Sequence, residues 1–270
     1  MPPHLCRLCF CALLAASGAH AAEPPLEFDC LVEARQDIAV RSPVEGVIES
    51  VQVERGSLLK RGQLIATLSS GPERAALELA RSRATMEGEI NSAEARVELA
   101  RKKWERAEEL LKRNFVSANA RDEAEAEYRL AREQLRAARE SRQLAEFEVK
   151  RAEQILTQRT IRSPVTGIVV EVVLRPGELA TSNQREPIVR VMEIDPLNVE
   201  LILPVSAFGQ IKSGQRAQVT LEPPVGGTYS ARVEVVDRTV DAASGTFGVR
   251  LALPNPGGRI PAGVKCRARF

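Results

Sequence analysis

Arg41-Ser42-Pro43-Val44-Glu45-Gly46-Val47-Ile48 and Arg162-Ser163-Pro164-Val165-Thr166-Gly167-Ile168-Val169 are one phrase written twice, 121 residues apart. The match runs on through Val51 and Val172, Gly56 and Gly177, Leu58 and Leu179. Internal similarity of this kind reports two copies of one supersecondary unit. In each copy Pro-x-x-Gly turns the chain. β-Branched residues then alternate, as in Val47-Ile48-Glu49-Ser50-Val51-Gln52-Val53, which reads as a strand with one face buried. The first copy ends in Leu58-Leu59-Lys60-Arg61-Gly62-Gln63-Leu64-Ile65, a turn followed by another apolar strand.

The sequence between the copies has another composition. Residues 71–158 hold one of the chain's 16 prolines, two of its 17 glycines, and 36 charged residues, 18 acidic and 18 basic. With both helix breakers nearly absent and Ala, Glu, Arg and Leu dominant, the segment is expected to be helical. Ile90, Val97, Trp104 and Leu111 recur every seven residues, each followed three later by Ala93, Ala100, Ala107 and Asn114. Tyr128, Leu135, Arg142, Val149 and Leu156 do likewise, with Ala131, Ala138, Ala145 and Ala152 after the first four. A strict heptad repeat implies a left-handed coiled coil. Both registers lapse between Asn114 and Ala120, so the helices are expected to fold back as an antiparallel hairpin. Each arm of about 40 residues would project roughly 60 Å. Balanced charge and a narrow apolar seam predict a solvent-exposed arm.

From Asp195 to Phe270 alternating strands dominate, among them Leu197–Leu203, Ala217–Leu221, Ala231–Val236 and Phe247–Leu253. Pro223-Pro224, Gly226-Gly227, Asn255-Pro256-Gly257-Gly258 and Pro261-Ala262-Gly263 mark the turns, which predicts a small antiparallel barrel. A short helix is expected over Val205 to Lys212.

The paired Ser-Pro-x-x-Gly units resemble the two halves of a biotinyl/lipoyl-type flattened β-barrel. In carrier domains those halves meet at a hairpin bearing a modified lysine. Here the coiled coil stands in that place, and Lys60 belongs to a Lys-x-Gly-Gln turn that is structural in such folds, so a swinging-arm carrier is not expected. A lipoyl-like domain split by a helical hairpin and followed by a β-rich segment resembles the periplasmic adaptor (membrane fusion) proteins of bacterial tripartite efflux pumps, the HlyD/AcrA-like family. The likeness extends to the barrel, from Thr246 through Asn255-Pro256 to Pro261-Ala262-Gly263. It implies an α+β fold: a lipoyl-like β-sandwich in two halves (38–70 and 160–192), split by a long antiparallel α-helical coiled-coil hairpin (71–158), then a small antiparallel β-barrel (26–37 and 193–270).

Adaptors that dock on outer-membrane channels of the TolC type resemble one another at the hairpin tip in an Arg, a Leu four residues on, and a Ser seven beyond. Arg106, Leu110 and Ser117 have that spacing, and Asp122-Glu123-Ala124 follows much as the family's Asp-x-Ala does. The resemblance implies channel contact by these three residues. Taken alone, Arg106 and Leu110 also read as ordinary helix-surface residues and Ser117 as a helix N-cap. Implied partners are an inner-membrane transporter (RND or ABC), a TolC-type outer-membrane channel, and further copies of the chain in a ring. An ABC exporter or type I secretion adaptor is the alternative reading. Many adaptors continue past the barrel into a membrane-proximal domain. This sequence stops at Phe270 inside the last barrel strand, so either that domain is missing or the sequence is truncated.

Composition points the same way. The two histidines, His4 and His20, and three of five cysteines, Cys6, Cys9 and Cys11, lie in a stretch that reads as a signal peptide (1–21). Arg7 begins it, Phe10 to Ala16 is apolar, and Ala19-His20-Ala21 has the cleavage spacing. Its apolar run is far short of the ~20 residues of a bilayer span. The expected location is therefore the periplasm, with no transmembrane helix in the mature chain and attachment to the inner membrane through the transporter. A mature chain without histidine cannot build a Ser-His-Asp triad, a Cys-His pair or a histidine-ligated haem. No catalytic residue, cofactor or metal is expected. A carboxylate hydrolase needs only two acids, but the acids here lie mostly on helix exteriors, where solvated charge is the ordinary explanation. Copper or silver handling would favour Met ligands, and only Met86 and Met192 remain. Aromatic residues at 4% and a net charge of +2 argue against nucleic acid. The remaining Cys30 and Cys266 sit in strand-like runs at opposite ends. In an oxidising compartment they are expected to bond, the alternative being two half-buried thiols.

Overall fold

The computed structural model describes residues 27–181 and 186–270. The expected signal peptide lies outside them. The described chain divides into two compact units, one of Ala34–Leu197 with Asn255–Arg259, the other of the segment ending at Glu33 with Asn198–Pro254 and Ile260–Phe270. Among the described residues no helix is long and apolar enough to cross a membrane.

In the first unit two four-stranded sheets form a sandwich. One runs Gln36–Val40, Val189–Glu193, Gly167–Val172, Leu58–Leu59, and the other Thr160–Arg162, Leu64–Leu68, Gly46–Val51, Leu179–Ala180. The repeated phrases are the matching strands of the two sheets, and each is paired by the other half. Gly46 stands opposite Ala180, and Gly167 opposite Leu59. The Gly56 N–H donates to the Val169 carbonyl at 2.8 Å, and the Gly177 N–H donates to the Ile48 carbonyl at 2.9 Å. Each repeated strand has one neighbour in its own half and the other in the opposite half, which is why the repeat folds as one domain.

The motif residues have separable reasons. Ser42 and Ser163 are buried, and each hydroxyl donates to the carbonyl two residues on, Val44 and Val165. Gly56 and Gly177 adopt left-handed backbone, φ +89° and +92°, where a Cβ is disfavoured. Gly46 and Gly167 lie where something approaches closely. Between the sheets Ile48, Leu59, Ile65, Leu68, Val169, Ile188, Val189 and Val191 are essentially inaccessible.

The second unit is a closed six-stranded antiparallel barrel in the order Glu27–Glu33, Leu197–Pro204, Thr246–Leu253, Thr228–Val236, Arg216–Leu221, Val264–Arg269. Inward residues alternate along Arg216–Leu221, where Ala217, Val219 and Leu221 are buried, and Val32, Val199, Leu203 and Leu251 fill the interior. Cys30 and Cys266 face each other in register on the first and last strands, with Cα atoms 4.9 Å apart and sulfurs 2.13 Å apart.

Boundaries shift from the sequence expectation in two places. Residues 34–37, read with the barrel, lie with the sandwich because Gln36–Val40 pairs with Val189–Glu193. Residues 255–259 do so too: Asn255 donates from its backbone to Asp195 Oδ1 and from its side chain to the Ile194 carbonyl, both at 2.9 Å. The helix expected over Val205 to Lys212 is only a 3₁₀ turn, Val205–Ala207. Phe208 is already extended and Gly209 is left-handed at φ +86°, which ends it.

Candidate functional site

The sandwich carries the helical hairpin, and the hairpin presents the candidate site at its far end. It consists of α1 (Gly71–Ala84), α2 (Gly88–Lys112) and α3 (Ala118–Thr157). α3 is continuous and packs against both others. At the root, Arg159 donates to the Glu45 carbonyl at 2.6 Å and to the Glu73 carboxylate, both side chains largely buried. That ion pair ties the first turn of α1 to the segment leaving α3.

The seam is the heptad stripe of the sequence. Ala93, Ala100, Ala131 and Ala138 are buried and the larger members half-buried, so alanine layers let the helices approach while the larger residues interdigitate. Trp104 stacks on Tyr128, centroids 5.5 Å apart and rings 7° from parallel.

The outgoing arm, expected as one helix, is broken at Thr85–Glu87. In α1 the buried Leu77 and Ala80 put the next seam position at Ala84, and a strict heptad would continue at 91. In α2 the seam resumes at Ile90. The outgoing arm is thus one residue short of register, and the break absorbs the slip while α3 keeps one phase.

At the tip α2 ends in a Schellman motif. Asn114 is left-handed at φ +60°. Its N–H donates to the Leu111 carbonyl and the Phe115 N–H to the Leu110 carbonyl, both at 2.9 Å. Ser117 is the N-cap of α3, its hydroxyl accepting from the Ala120 N–H at 3.2 Å. Leu110 and Ser117 therefore bracket one tight turn, and Arg106 lies one helical turn below Leu110, exposed. Leu110 is half-buried and Ser117 exposed.

Sequence reasoning missed Phe115. In a Schellman motif the residue after the left-handed one commonly packs back on the helix, yet Phe115 is 74% exposed. An aromatic residue at that position was the available signal. Exposed i,i+4 pairs stiffen the turn, Arg113 with Glu109 at 2.6 Å and Asn119 with Glu123 at 3.0 Å. Further down α2, Arg101 and then Lys102 hold the Glu98 carboxyl below its ordinary pKa by hydrogen bonding. Among the described residues no group of three or more His, Cys, Asp or Glu could hold a metal ion. The tip presents a tight turn with the exposed Arg106, the Ser117 hydroxyl and the bare Phe115 ring.

Comparison with known proteins agrees with this architecture. The RND MFP (membrane fusion protein) barrel-sandwich hybrid domain matches residues 36–192, and the CusB-like β-barrel domain matches residues 197–270. The chain is 30% identical over 237 residues to multidrug resistance protein MdtE of Escherichia coli (strain K12), covering 83% of this chain and 58% of that protein. It is 25% identical over 244 residues to multidrug resistance protein MexA of Pseudomonas aeruginosa, covering 86% and 57%. The chain thus spans somewhat over half the length of these relatives. The crystal structure of MacA from Actinobacillus actinomycetemcomitans has the same fold, with a TM-score of 0.76 at 20% identity over 91% of this chain and 78% of that one. With the sandwich and its inserted hairpin matched as one domain, and the barrel as the next, this chain belongs to the RND membrane fusion protein family.

Proposed function

We propose that this chain is the periplasmic adaptor of a tripartite efflux pump, joining an inner-membrane transporter of the RND type to an outer-membrane channel of the TolC type. It is not an enzyme. It acts by placement: the β units stay near the inner membrane with the transporter, while Arg106, Leu110 and Ser117 at the hairpin tip meet the helical end of the channel. Several copies pack around the conduit, and in the oxidising periplasm Cys30 and Cys266 are bonded, tying the first barrel strand to the last.

The observation that carries this reading is the tip. A rigid turn held by a Schellman motif and an N-cap leaves a cation, a hydroxyl and an aromatic ring exposed at the end of a long arm. Helical partners recognise one another by side chains seated in grooves, and the last turn of α2 with the first of α3 presents these groups for such a contact. The RND description of the matching domain favours an RND transporter over an ABC exporter.

Deleting the gene from its host tests the function. Inhibitory concentrations of several chemically unrelated toxic compounds should fall, and the full chain should restore them only where transporter and channel are both present. Unchanged sensitivity across a broad panel contradicts the proposal.

A further inference from the structure

The barrel segregates its charge. Outward side chains of Arg216–Leu221, Thr228–Val236 and Val264–Arg269 include five cations, Arg216, Arg232, Lys265, Arg267 and Arg269, and one acid, Glu234. Those of Glu27–Glu33, Leu197–Pro204 and Thr246–Leu253 include four acids, Glu27, Asp29, Glu33 and Glu200, and one cation, Arg250, which pairs with Glu200. The first three strands are neighbours in the barrel, so they form one basic face.

At one end of that face the cations crowd. Arg216 and Arg232 stand directly opposite one another in register. Arg269 faces Gln218, two residues along from Arg216. Like charges in opposed positions, with Cβ atoms about 5 Å apart, destabilise a sheet. Among the described residues none of these three arginines has a carboxylate within ion-pair distance. Glu27 is in register with Arg269 and does not close on it. Gln218 and Ser230, opposite each other in register, set neutral hydrogen-bond donors beside the arginines.

The same end of the barrel exposes apolar side chains. The loop leading into Arg216 carries Val205 and Phe208, and the loop after Val236 carries Val240, all 37–51% exposed. The Val205 N–H donates to the Gly245 carbonyl at 2.9 Å, which joins the two loops. Phe208 meets the buried Phe247 edge-on, ring centroids 5.3 Å apart, so its ring is propped in place. Charges on these loops balance, Lys212 and Arg238 against Asp237 and Asp241.

We propose that this end of the barrel binds the surface of a bilayer, its arginines on the phosphate groups of anionic phospholipids and Phe208 with its apolar neighbours in the headgroup layer. Guanidinium groups take phosphate oxygens in bidentate fashion, and an oxyanion between Arg216 and Arg232 removes the repulsion that the bare sheet carries. Apolar side chains beside a basic patch give a peripheral protein its two means of attachment: long-range attraction to anionic lipid, then burial of apolar area at the interface. An acidic protein face would answer the arginines but not the apolar loops beside them. In the adaptor reading the transporter holds the chain to the inner membrane. Here the barrel itself touches lipid, and this contact can fail while that reading stands.

The test is flotation of the processed chain, purified from the periplasm, with phosphatidylcholine vesicles that contain or lack phosphatidylglycerol. Binding is expected to the anionic vesicles, with little to phosphatidylcholine alone and release as salt rises. Each cation near an anionic surface is worth about fivefold in partitioning, so Arg216→Glu with Arg232→Glu should weaken binding about 100-fold or more. Phe208→Ser should weaken it several-fold and leave the salt dependence unchanged. Arg129→Glu with Arg136→Glu on the hairpin, an equal change in net charge, should leave binding intact. Inorganic phosphate should release the chain no better than chloride at equal ionic strength. Circular dichroism of all variants should match the parent, because every substituted side chain is exposed. No binding to the anionic vesicles, equal weakening by the hairpin pair, or selective release by inorganic phosphate overturns the proposal. So does a photo-cross-linking residue at position 216 that captures only protein in living cells, which would assign the face to an acidic protein.

Discussion

Ser117→Asp is expected to return a host that relies on this chain to the sensitivity of the deletion strain, while Ser117→Ala leaves resistance nearly intact. The pair separates docking from stability. Ser117 caps α3 by accepting from the Ala120 N–H. Aspartate caps as well as serine, and its charge is favourable at a helix N-terminus, so α3 should be at least as stable. Alanine forfeits the cap, about 1 kcal/mol, but keeps the surface small and neutral. If Ser117 lies against the channel, the aspartate buries an unpaired carboxylate in a helix–helix contact. That costs several kcal/mol, or more than about 100-fold in affinity. Arg106→Glu should act in the same direction by reversing the exposed cation. Inhibitory concentrations, with circular dichroism of the purified variants, decide the matter. Full resistance in Ser117→Asp and loss in Ser117→Ala would mean that the serine is only a cap.

Gly167→Ala should destabilise the sandwich by about 3 kcal/mol, the largest effect of any one-atom addition in the unit. A Cβ at this position would stand 2.2 Å from the Met192 carbonyl oxygen and 2.8 Å from its carbon. Both belong to the neighbouring strand, so the sheet itself must move. The equivalent glycine of the first half gives a built-in comparison. At Gly46 the Cβ would meet Arg159 Nη1 at 2.5 Å, the end of a flexible side chain. Gly46→Ala should therefore cost less in chemical denaturation, and its cost should appear at the hairpin root, where Arg159 holds Glu73 and the Glu45 carbonyl. Equal losses at the two glycines would show that close strand approach is not what excludes a side chain from position 167.

These two sites mark how far the sequence could be read. The duplicated phrase was legible because its serines, prolines and glycines meet backbone requirements that few other residues satisfy. The a/d seam was legible because a strict seven-residue period has one structural solution. The break at Thr85–Glu87 was not, because no proline marks it and the signal is a one-residue slip between two correct heptads. Arg106, Leu110 and Ser117 were expected at the tip from the family resemblance, whereas Phe115 needed the Schellman geometry to show that its ring stays off the helix. The short helix expected after Pro204 failed on Gly209, whose left-handed backbone ends the turn.

A photo-cross-linking residue in place of Phe115, in the full chain in living cells, reports whether the hairpin tip meets an outer-membrane channel. The predicted result is a covalent adduct whose partner mass spectrometry identifies as a TolC-type channel. The adduct should disappear in the Ser117→Asp background and be absent when the same group replaces Lys150, far down α3. No adduct from position 115, or an adduct with any protein other than such a channel, would mean that the tip does not dock on it.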